Sequence, residues 1–315
     1  MLKCFSIIGS SHGLLCLYGW FFSGKDMFVL WNISIRKAVD VVDHYEPDVR
    51  AGTYVSVMGV GVCRETSVPK IVKITHIKSG RHTETLSAIS WQVVVFTLST
   101  GAWRRSHNNP SRKSIRLSGL GSQVVVNGFL NWLATDTVVN TDGGFGSYNP
   151  IVSFDMTSEE FREVNLPQSL AHRPRYKLSI SKLIESLVVL EHGVEANNSI
   201  FGVWMMEDGV PNSFTKLFTF NVNTPHASVR GFKKTGEPII EIIDNDHRRQ
   251  LVVYEPCSKR INNHNIGFDA VNFSFFGYPY VDTLLLLDLR DLLIYNNGKR
   301  CLLQQRKHKA LETFK

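Results

Sequence analysis

Apolar residues along this chain are grouped in short runs that are rich in β-branched and aromatic side chains. Runs with apolar residues at i, i+3, i+4 and i+7, as in an amphipathic helix, are scarce before the last residues of the chain. Strand-like runs recur at residues 90–98, 151–155, 187–190, 239–243 and 251–254. Because such side chains suit a pleated surface, the pattern predicts an all-β protein.

Two of these apolar runs are joined by a recognisable turn. Asn127 and Gly128 separate residues 124–126 from residues 129–133. Both residue types accept the positive φ angles that a two-residue hairpin turn requires. The sequence therefore predicts a tight β-hairpin at this position.

A loose repeat indicates how the strands are arranged. Each copy has an apolar strand, a short polar turn and a returning strand that starts with an aromatic or basic residue. The copies lie at residues 28–37, 95–104, 153–162 and 253–261, with a weaker one at 217–223. Such hairpins predict a β-propeller-like fold, and at about 40–50 residues per blade the chain has room for about six or seven small antiparallel blades. A two-sheet sandwich has the same strand patterns and is the alternative prediction, although it would be unusually long.

Seven segments, taken in order, resemble the motifs of the F-box-associated (type 1) domain of plant F-box proteins. Residues 126–134 are similar to the family's "NG-x-L-x-W-L-A" hairpin, whereas Ile33 stands where the family more often has proline. The matching segments are residues 9–17, 30–37, 94–104, 126–134, 151–167, 203–218 and 251–256. The resemblance extends to about Asp288 and leaves the end of the chain without a counterpart.

The resemblance implies a β-propeller-like domain at residues 1–290, followed by a basic tail at residues 291–315. Its function would be that of the substrate-recognition domain of an SCF-type E3 ubiquitin ligase receptor, which binds a target protein. Family members usually begin with an F-box that docks on a Skp1-type adaptor, and eight residues precede Gly9 here. We therefore expect Skp1 binding only if an F-box lies upstream. A scaffold or decoy without ligase function, and a glycan-binding propeller, remain alternatives.

The net charge of +7 is concentrated at one end of the chain. After Gly298, six basic residues are opposed by Glu312 alone, which gives the tail a net charge of +5. A nucleic-acid-binding domain usually carries its positive charge on the folded face that contacts phosphate. We therefore expect no nucleic-acid partner, and we interpret the tail as a solvated end or a weak helix.

The cysteines and the first residues indicate a reducing compartment. The cysteines are odd in number and scattered, which is typical of buried free thiols rather than of a disulfide framework or metal site; they are Cys4, Cys16, Cys63, Cys257 and Cys301. No signal-peptide cleavage site follows the first apolar run, and no apolar run has the length of a membrane span. We expect a monomer in the cytoplasm or nucleus, with no membrane association, cofactor or metal.

Three motifs could be mistaken for catalytic chemistry. Residues 9–13 fit the G-x-S-x-G nucleophile elbow, but a strand rather than a helix is predicted after them. Residues 59–64 begin like a dinucleotide-binding loop but have arginine in place of the third glycine. Asp244, Asp246 and His247 are better explained as a solvated turn between two strands. We therefore predict no catalytic residues, and the third possibility, a propeller enzyme, rests on fold analogy alone.

The polar stretches and the tryptophans concern binding rather than catalysis. Residues 104–116, 135–148 and 222–230 are rich in Gly, Asn, Ser and Pro, so they are predicted to be loops, where binding specificity usually lies. The substrate-binding residues themselves cannot be chosen from the sequence. Most tryptophans stand in apolar runs and are predicted to pack between blades rather than to form a glycan platform; they are Trp20, Trp31, Trp91, Trp103, Trp132 and Trp204.

Overall fold

The protein is an all-β propeller, seen in a computed structural model. The structure describes residues 2–21, 26–45, 53–79, 91–112, 114–117, 123–139, 145–207, 210, 212–244, 246–268, 281–287, 293–296 and 299–302. Within these residues, five sheets form the blades, and each blade has at least four antiparallel strands that are consecutive in the chain.

The first two blades each contain four core strands. Blade 1 consists of β1 (Leu2–Ser11), β2 (Leu14–Phe21), β3 (Asp26–Asn32) and β4 (Lys37–Val42). Blade 2 consists of β5 (Thr53–Val62), β6 (Pro69–Ser79), β7 (Gln92–Thr97) and β8 (Ala102–Ser106).

Blade 3 has two short strands beyond its four core strands. In chain order it consists of β9 (Arg116–Leu117), β10 (Gln123–Val126), β11 (Phe129–Val139), β12 (Phe145–Tyr148), β13 (Pro150–Asp155) and β14 (Phe161–Asn165). The short strands β9 and β12 both pair with the long β11. The helix α1 (Gln168–Ala171) and a 3₁₀ turn (Arg175–Lys177) lead to the next blade.

Blades 4 and 5 return to the simple four-strand pattern. Blade 4 consists of β15 (Leu178–Leu183), β16 (Ser186–Glu195), β17 (Asn198–Met206) and β18 (Phe214–Val222). Blade 5 consists of β19 (Ala227–Phe232), β20 (Pro238–Ile243), β21 (Arg249–Glu255) and β22 (Arg260–Phe268).

The apolar core lies between successive blades. One apolar cluster lies between each pair of neighbouring blades from blade 1 to blade 5. The first core strands of neighbouring blades contact each other in turn; they are β1, β5, β10, β15 and β19. Near these first strands the side chain of Gln123 is buried, and its Oε1 accepts a hydrogen bond from the backbone N–H of Val60 at 3.0 Å. A Cβ at Gly9 or Gly59 would overlap this side chain, so both glycines allow the strands to approach.

The tryptophans and strands follow the sequence prediction closely. Trp91 and Trp132 are buried, and Trp103 and Trp204 pack partly buried against the same interblade clusters. The predicted strand runs lie in β7, β13, β16, β20 and β21. The predicted hairpin at Asn127 and Gly128 is confirmed, with φ angles of 48° and 75°.

The number of blades differs from the six or seven predicted, since five are formed by the described residues. Dividing the chain evenly assumed that all of it builds blades, but blade 2 alone extends over residues 53–106, and its β5 and β6 have 10 and 11 residues. The last described strands, β23 (Leu293–Asn296) and β24 (Lys299–Leu302), extend blade 1 through β4. Residues 299–302 are thus a strand rather than a weak helix, whereas residues 303–315 lie outside the described residues. The domain boundary at residue 290 stays a prediction.

The predicted loops were only partly correct. Within residues 135–148, β11 continues to Val139 and pairs with β12, so this stretch is mainly a hairpin. Its β-branched residues, in the run Thr-Asp-Thr-Val-Val, favour a strand that the surrounding Gly and Asn residues obscured. Likewise, β8 includes residues 104–106, and β19 begins at Ala227 inside the loop predicted at 222–230.

A late part of the chain returns to blade 1. We call residues 281–287 the closing segment. The buried side chain of Asn32, at the end of β3, donates hydrogen bonds to the backbone oxygens of Thr283 and Leu285 at 2.9 and 2.6 Å. Leu286 is buried in the apolar cluster between blades 1 and 2. The closing segment therefore completes the surface of the first blade.

Candidate binding site

The motifs that suggested catalysis form ordinary strands and turns. Residues 9–13 form the end of β1 and a two-residue turn into β2, so the strand-to-helix geometry of a nucleophile elbow is absent there. Residues 59–62 lie inside β5 and form no phosphate-binding loop. Asp244 Oδ1 accepts backbone hydrogen bonds from Asp246 and Arg248 at 2.9 and 2.8 Å in the exposed β20–β21 turn. The interpretation of Asp244, Asp246 and His247 as a turn is confirmed.

Metal-binding clusters are not seen in the described part of the chain. No group of three or more His, Cys, Asp or Glu side chains there could hold a metal ion. Cys16 and Cys63 are free and buried, whereas Cys257 is free and exposed. The described helices have only four and three residues, and no described helix could cross a bilayer.

Two cavities lie beside blade 3. The larger of these two, which we call the Arg112 cavity, has a volume of about 740 Å³. It lies where the connection from blade 2 to blade 3 meets β12, the end of β14 and α1. Its lining is polar and aromatic and consists of Arg112, Gly146, Ser147, Tyr148, Glu163, Asn165 and His172. These residues come from four separate segments, so blade 3 and its connections position the whole cavity.

Each side-chain nitrogen of Arg112 has an acceptor within the protein. Its Nε and Nη2 donate to Glu163 Oε2 at 2.7 and 2.6 Å, and its Nη1 donates to Asp136 Oδ2 at 2.9 Å. The Asp136 side chain is 2% exposed, and the Ser111 hydroxyl donates to Glu163 Oε1 at 2.6 Å. The guanidinium also lies over the Tyr148 ring, 5.6 Å from its centroid. Because all three nitrogens have acceptors, this partly exposed arginine fixes the loop and keeps fewer N–H groups for a ligand.

The electrostatics of the Arg112 cavity follow from this pairing. Burial alone would raise the pKa of Glu163, but hydrogen bonds from Ser111 and Arg112 and the charge of Arg112 outweigh it and lower that pKa. Burial raises the pKa of Tyr148, whose hydroxyl donates to Asn165 Oδ1 at 2.8 Å. At neutral pH the cavity therefore contains an ionised Glu163 and a neutral phenol.

The smaller cavity, which we call the Arg64 cavity, has a volume of about 460 Å³. It lies between the β5–β6 turn of blade 2 and the β13–β14 turn of blade 3. Its lining residues are Arg64, Glu65, Asp155, Thr157, Ser158, Glu160 and Arg162. Because Arg162 lies near the start of β14 and Asn165 ends it, the two cavities lie toward opposite ends of this strand.

Two arginines converge in the Arg64 cavity. Arg64 Nη2 donates to Asp155 Oδ2 at 3.5 Å, and Arg162 Nη2 lies 3.9 Å from the same oxygen. Both guanidinium groups also contact the Phe129 ring, 5.1 and 4.9 Å from its centroid. The arginine side chains are 51% and 59% exposed, whereas the Asp155 side chain is 6% exposed. A buried carboxylate and a ring thus orient two exposed cations.

The local backbone explains this arrangement. Asp155 Oδ1 accepts the backbone N–H of Thr157 at 2.8 Å, so the carboxylate is held by its own turn. Gly128 has a φ of 75°, and a Cβ there would come within 2.5 Å of the Arg64 side chain. The glycine therefore serves the hairpin turn and also makes room for an arginine from the neighbouring blade.

A buried thiol lies close to the same turn. The Cys63 thiol lies 3.6 Å from the Thr157 hydroxyl. Burial raises its pKa, but hydrogen bonds involving Thr66, Thr157 and the Glu65 backbone outweigh burial and lower the pKa to about 7. The Cys63 thiol is therefore easier to ionise than an ordinary cysteine thiol.

Neither cavity was predicted from the sequence. Arg112 and Tyr148 fell inside stretches predicted as loops, and Gly128 and Phe129 fell inside the predicted hairpin, but no local signal pairs Arg64 with Arg162. These arginines are 98 positions apart, so their meeting depends on how blades 2 and 3 pack. A search for basic residues beside the repeated hairpin turns would have found Arg162, in the copy at 153–162, but not Arg64, which lies in none of the copies.

The fold and the turn-lined cavities define a propeller of the kind that proteins use as a rigid binding scaffold. A family model described as the F-box associated beta propeller domain matches residues 5–278. The chain belongs to this family, which confirms the resemblance found in the sequence. The family is one of recognition domains found in F-box proteins.

A curated relative and several solved structures are similar to parts of the chain. F-box protein CPR1 of Arabidopsis thaliana is 26% identical over 229 residues, which cover 68% of this chain and 51% of that protein. The chain thus spans about half the length of this relative. Among solved structures, Pyrococcus horikoshii acylaminoacyl peptidase is 14% identical (TM-score 0.44, 82% of this chain and 39% of that chain). The six-bladed Aleuria aurantia lectin is 12% identical (TM-score 0.38, 82% and 77%). Likeness at this level does not bear on function.

Proposed function

We propose that this chain is the target-recognition domain of an F-box receptor in an SCF-type ubiquitin ligase. The observation that carries the proposal is the family match over residues 5–278, together with the relative that is itself an F-box protein. In this function the propeller binds a target protein and positions it for ubiquitin transfer, without enzyme chemistry of its own. The Skp1-type adaptor is bound through an F-box, so Skp1 binding requires that motif in the full protein.

The structure supports a binding function in a specific way. Two polar cavities open near turns and connections, and the blades that carry them are fixed by apolar clusters. Rigid sheets with exposed turns favour protein recognition because little conformational entropy is lost on binding. We also propose that the domain acts as a monomer in the cytoplasm or nucleus, where the ubiquitin system operates.

The test uses the domain alone and the domain fused to an F-box. The chain and the fusion are expressed in plant cells with a proximity label, and captured proteins are identified. We expect one set of targets with both forms, Skp1 with the fusion only, and ubiquitination of those targets only when the fusion is present. Targets without ubiquitination would instead support a scaffold or decoy, and ubiquitin-independent turnover of the targets would contradict the ligase function.

A further inference from the structure

We propose that Arg64 and Arg162 form a carboxylate-binding site that holds an acidic side chain of the target protein. This inference rests on the proposed function, because it assigns a contact to the target. It concerns the Arg64 cavity, about 460 Å³ in volume, between the turns of blades 2 and 3. The arginine pair has more unused donors for a ligand than Arg112 in the larger cavity.

The guanidinium groups of Arg64 and Arg162 have N–H donors that the protein does not use. A guanidinium group has five N–H donors and no acceptor. Among the described residues, the polar contacts of Arg64 and Arg162 are both with Asp155 Oδ2, at 3.5 and 3.9 Å. Most of their N–H groups therefore point to solvent or into the cavity, consistent with side chains that are 51% and 59% exposed.

The two guanidinium groups are also held in a fixed orientation. The Phe129 ring contacts both guanidinium groups, and Asp155 is fixed by the backbone of Thr157. A ligand that binds two oriented arginines does not have to restrict two long side chains, so less entropy is lost on binding. Arginine is also less strongly hydrated than lysine and matches a carboxylate with parallel hydrogen bonds.

The charged residues that line the Arg64 cavity affect which kind of anion can bind there. Asp155 can balance one guanidinium, and the exposed Glu65 and Glu160 also line the cavity. A doubly charged phosphate would be repelled by these groups more strongly than a singly charged carboxylate. The lining has two guanidinium groups and three carboxylates, a net charge of −1, so oriented N–H donors rather than surplus positive charge must hold an anion there. This favours a singly charged Asp or Glu side chain over a phosphorylated residue.

The neighbouring basic residues do not offer an equal site. Arg104 forms an ion pair with the buried Glu159, which also accepts a hydrogen bond from Lys70 Nζ at 2.9 Å. Arg112 uses all three of its side-chain nitrogens on Glu163 and Asp136. The convergent pair of Arg64 and Arg162 is thus distinguished by its spare donors and not by charge alone.

The test is peptide selection on the intact chain. A display library of random twelve-residue peptides is selected against the wild-type chain, the double variant Arg64→Gln/Arg162→Gln, and the control Arg105→Gln. Arg105 is a matched control because it is an exposed arginine over one ring, that of Tyr45, at 5.6 Å. Because the double variant removes both cations from the buried Asp155, whose side chain is 6% exposed, the melting temperature of all three proteins is measured first, and affinities are compared at a temperature at which each is folded.

We expect wild type and Arg105→Gln to select peptides with Asp or Glu at one fixed position. The affinity of such peptides for the double variant should fall about tenfold to a hundredfold, the loss typical of a central interface arginine. Equal acidic selection by the double variant would overturn the proposal. Stronger binding of a phosphoserine peptide than of its aspartate form would overturn the assignment to a carboxylate.

The final arm separates this inference from the proposed function. Targets captured in cells by the wild-type domain are compared with those captured by the double variant. Weaker capture by the double variant supports the inference. Equal capture shows that the arginine site is not used, while target recognition stands. Failure of wild type to capture any target contradicts the proposed function, whereas the peptide selection still tests the carboxylate site by itself.

Discussion

Arg112 and Arg64 both lie at cavities of blade 3, near aromatic rings and buried carboxylates, but they are paired differently. The guanidinium of Arg112 donates to Glu163 and Asp136 through all three of its nitrogens. The guanidinium of Arg64 has one long contact, at 3.5 Å, with a carboxylate that it shares with Arg162. Cavity volume alone would favour the first site, whereas unused donors favour the second. An arginine is available to a ligand only when the fold has not already satisfied it.

The largest expected difference between the two sites is in stability. Arg112→Ala should lower the free energy of unfolding by about 3 kcal/mol, because it leaves the buried Asp136 and Glu163 without their counter-ion. The nearby charge of Arg116 limits the loss at Asp136. Arg64→Ala should cost less than about 1 kcal/mol, since the Arg64 side chain is 51% exposed, its contact is long at 3.5 Å, and Arg162 still lies beside Asp155. Urea unfolding of both variants measures the difference, and equal losses would show that the two arginines have the same structural function.

The next effect concerns the glycine beneath Arg64. Gly128→Ala should cost about 1–2 kcal/mol, because alanine is strained at a φ of 75° and its Cβ would overlap Arg64. In an Arg64→Ala background the overlap disappears and only the backbone strain remains. A double-mutant cycle by urea unfolding should therefore give a coupling between the two positions. Strict additivity would show that Gly128 serves the hairpin turn alone.

A smaller effect should appear in the pH dependence of stability. The pKa of Glu163 is lowered in the folded state, so its contribution is fully present above the unfolded pKa of about 4.3 and is lost as the pH falls through both values. Glu163→Gln should cost about 1 kcal/mol at pH 7, since Gln can still accept some of the same hydrogen bonds. Its stability should also fall less than that of wild type on acidification, as measured by urea unfolding at several pH values. A steeper fall in the variant would mean that the pKa is raised.

The smallest expected effect concerns the ring shared by Arg64 and Arg162. Phe129→Leu keeps an apolar side chain but removes two cation–π contacts, each of about 0.5–1 kcal/mol at exposed sites. We expect a change in unfolding free energy of about 1 kcal/mol, since both contacts are at the weak, exposed end of about 0.5 kcal/mol each, and acidic-peptide affinity reduced a few-fold. Calorimetric titration of one selected peptide against variant and wild type measures the effect. Unchanged affinity would show that Asp155 alone orients the arginines.

The fold could be predicted further than the site. Runs of Val, Ile and aromatic residues identified β13, β20 and β21, and Asn127 with Gly128 identified a hairpin, because these signals act within a few residues. The hairpin of β11 and β12 was missed, since its turn signals concealed a β-branched strand. The pairing of Arg64 with Arg162 had no local signal, because packing between blades brings these residues together.

The hydrogen bonds of the Asn32 side chain can form only late in biosynthesis. Its two acceptors are 251 and 253 residues further along the chain. At roughly 5–20 residues per second, the ribosome delivers them about 12–50 s after Asn32 itself. During that interval the apolar cluster between blades 1 and 2 lacks Leu286. The sheet that is synthesised first is therefore completed last.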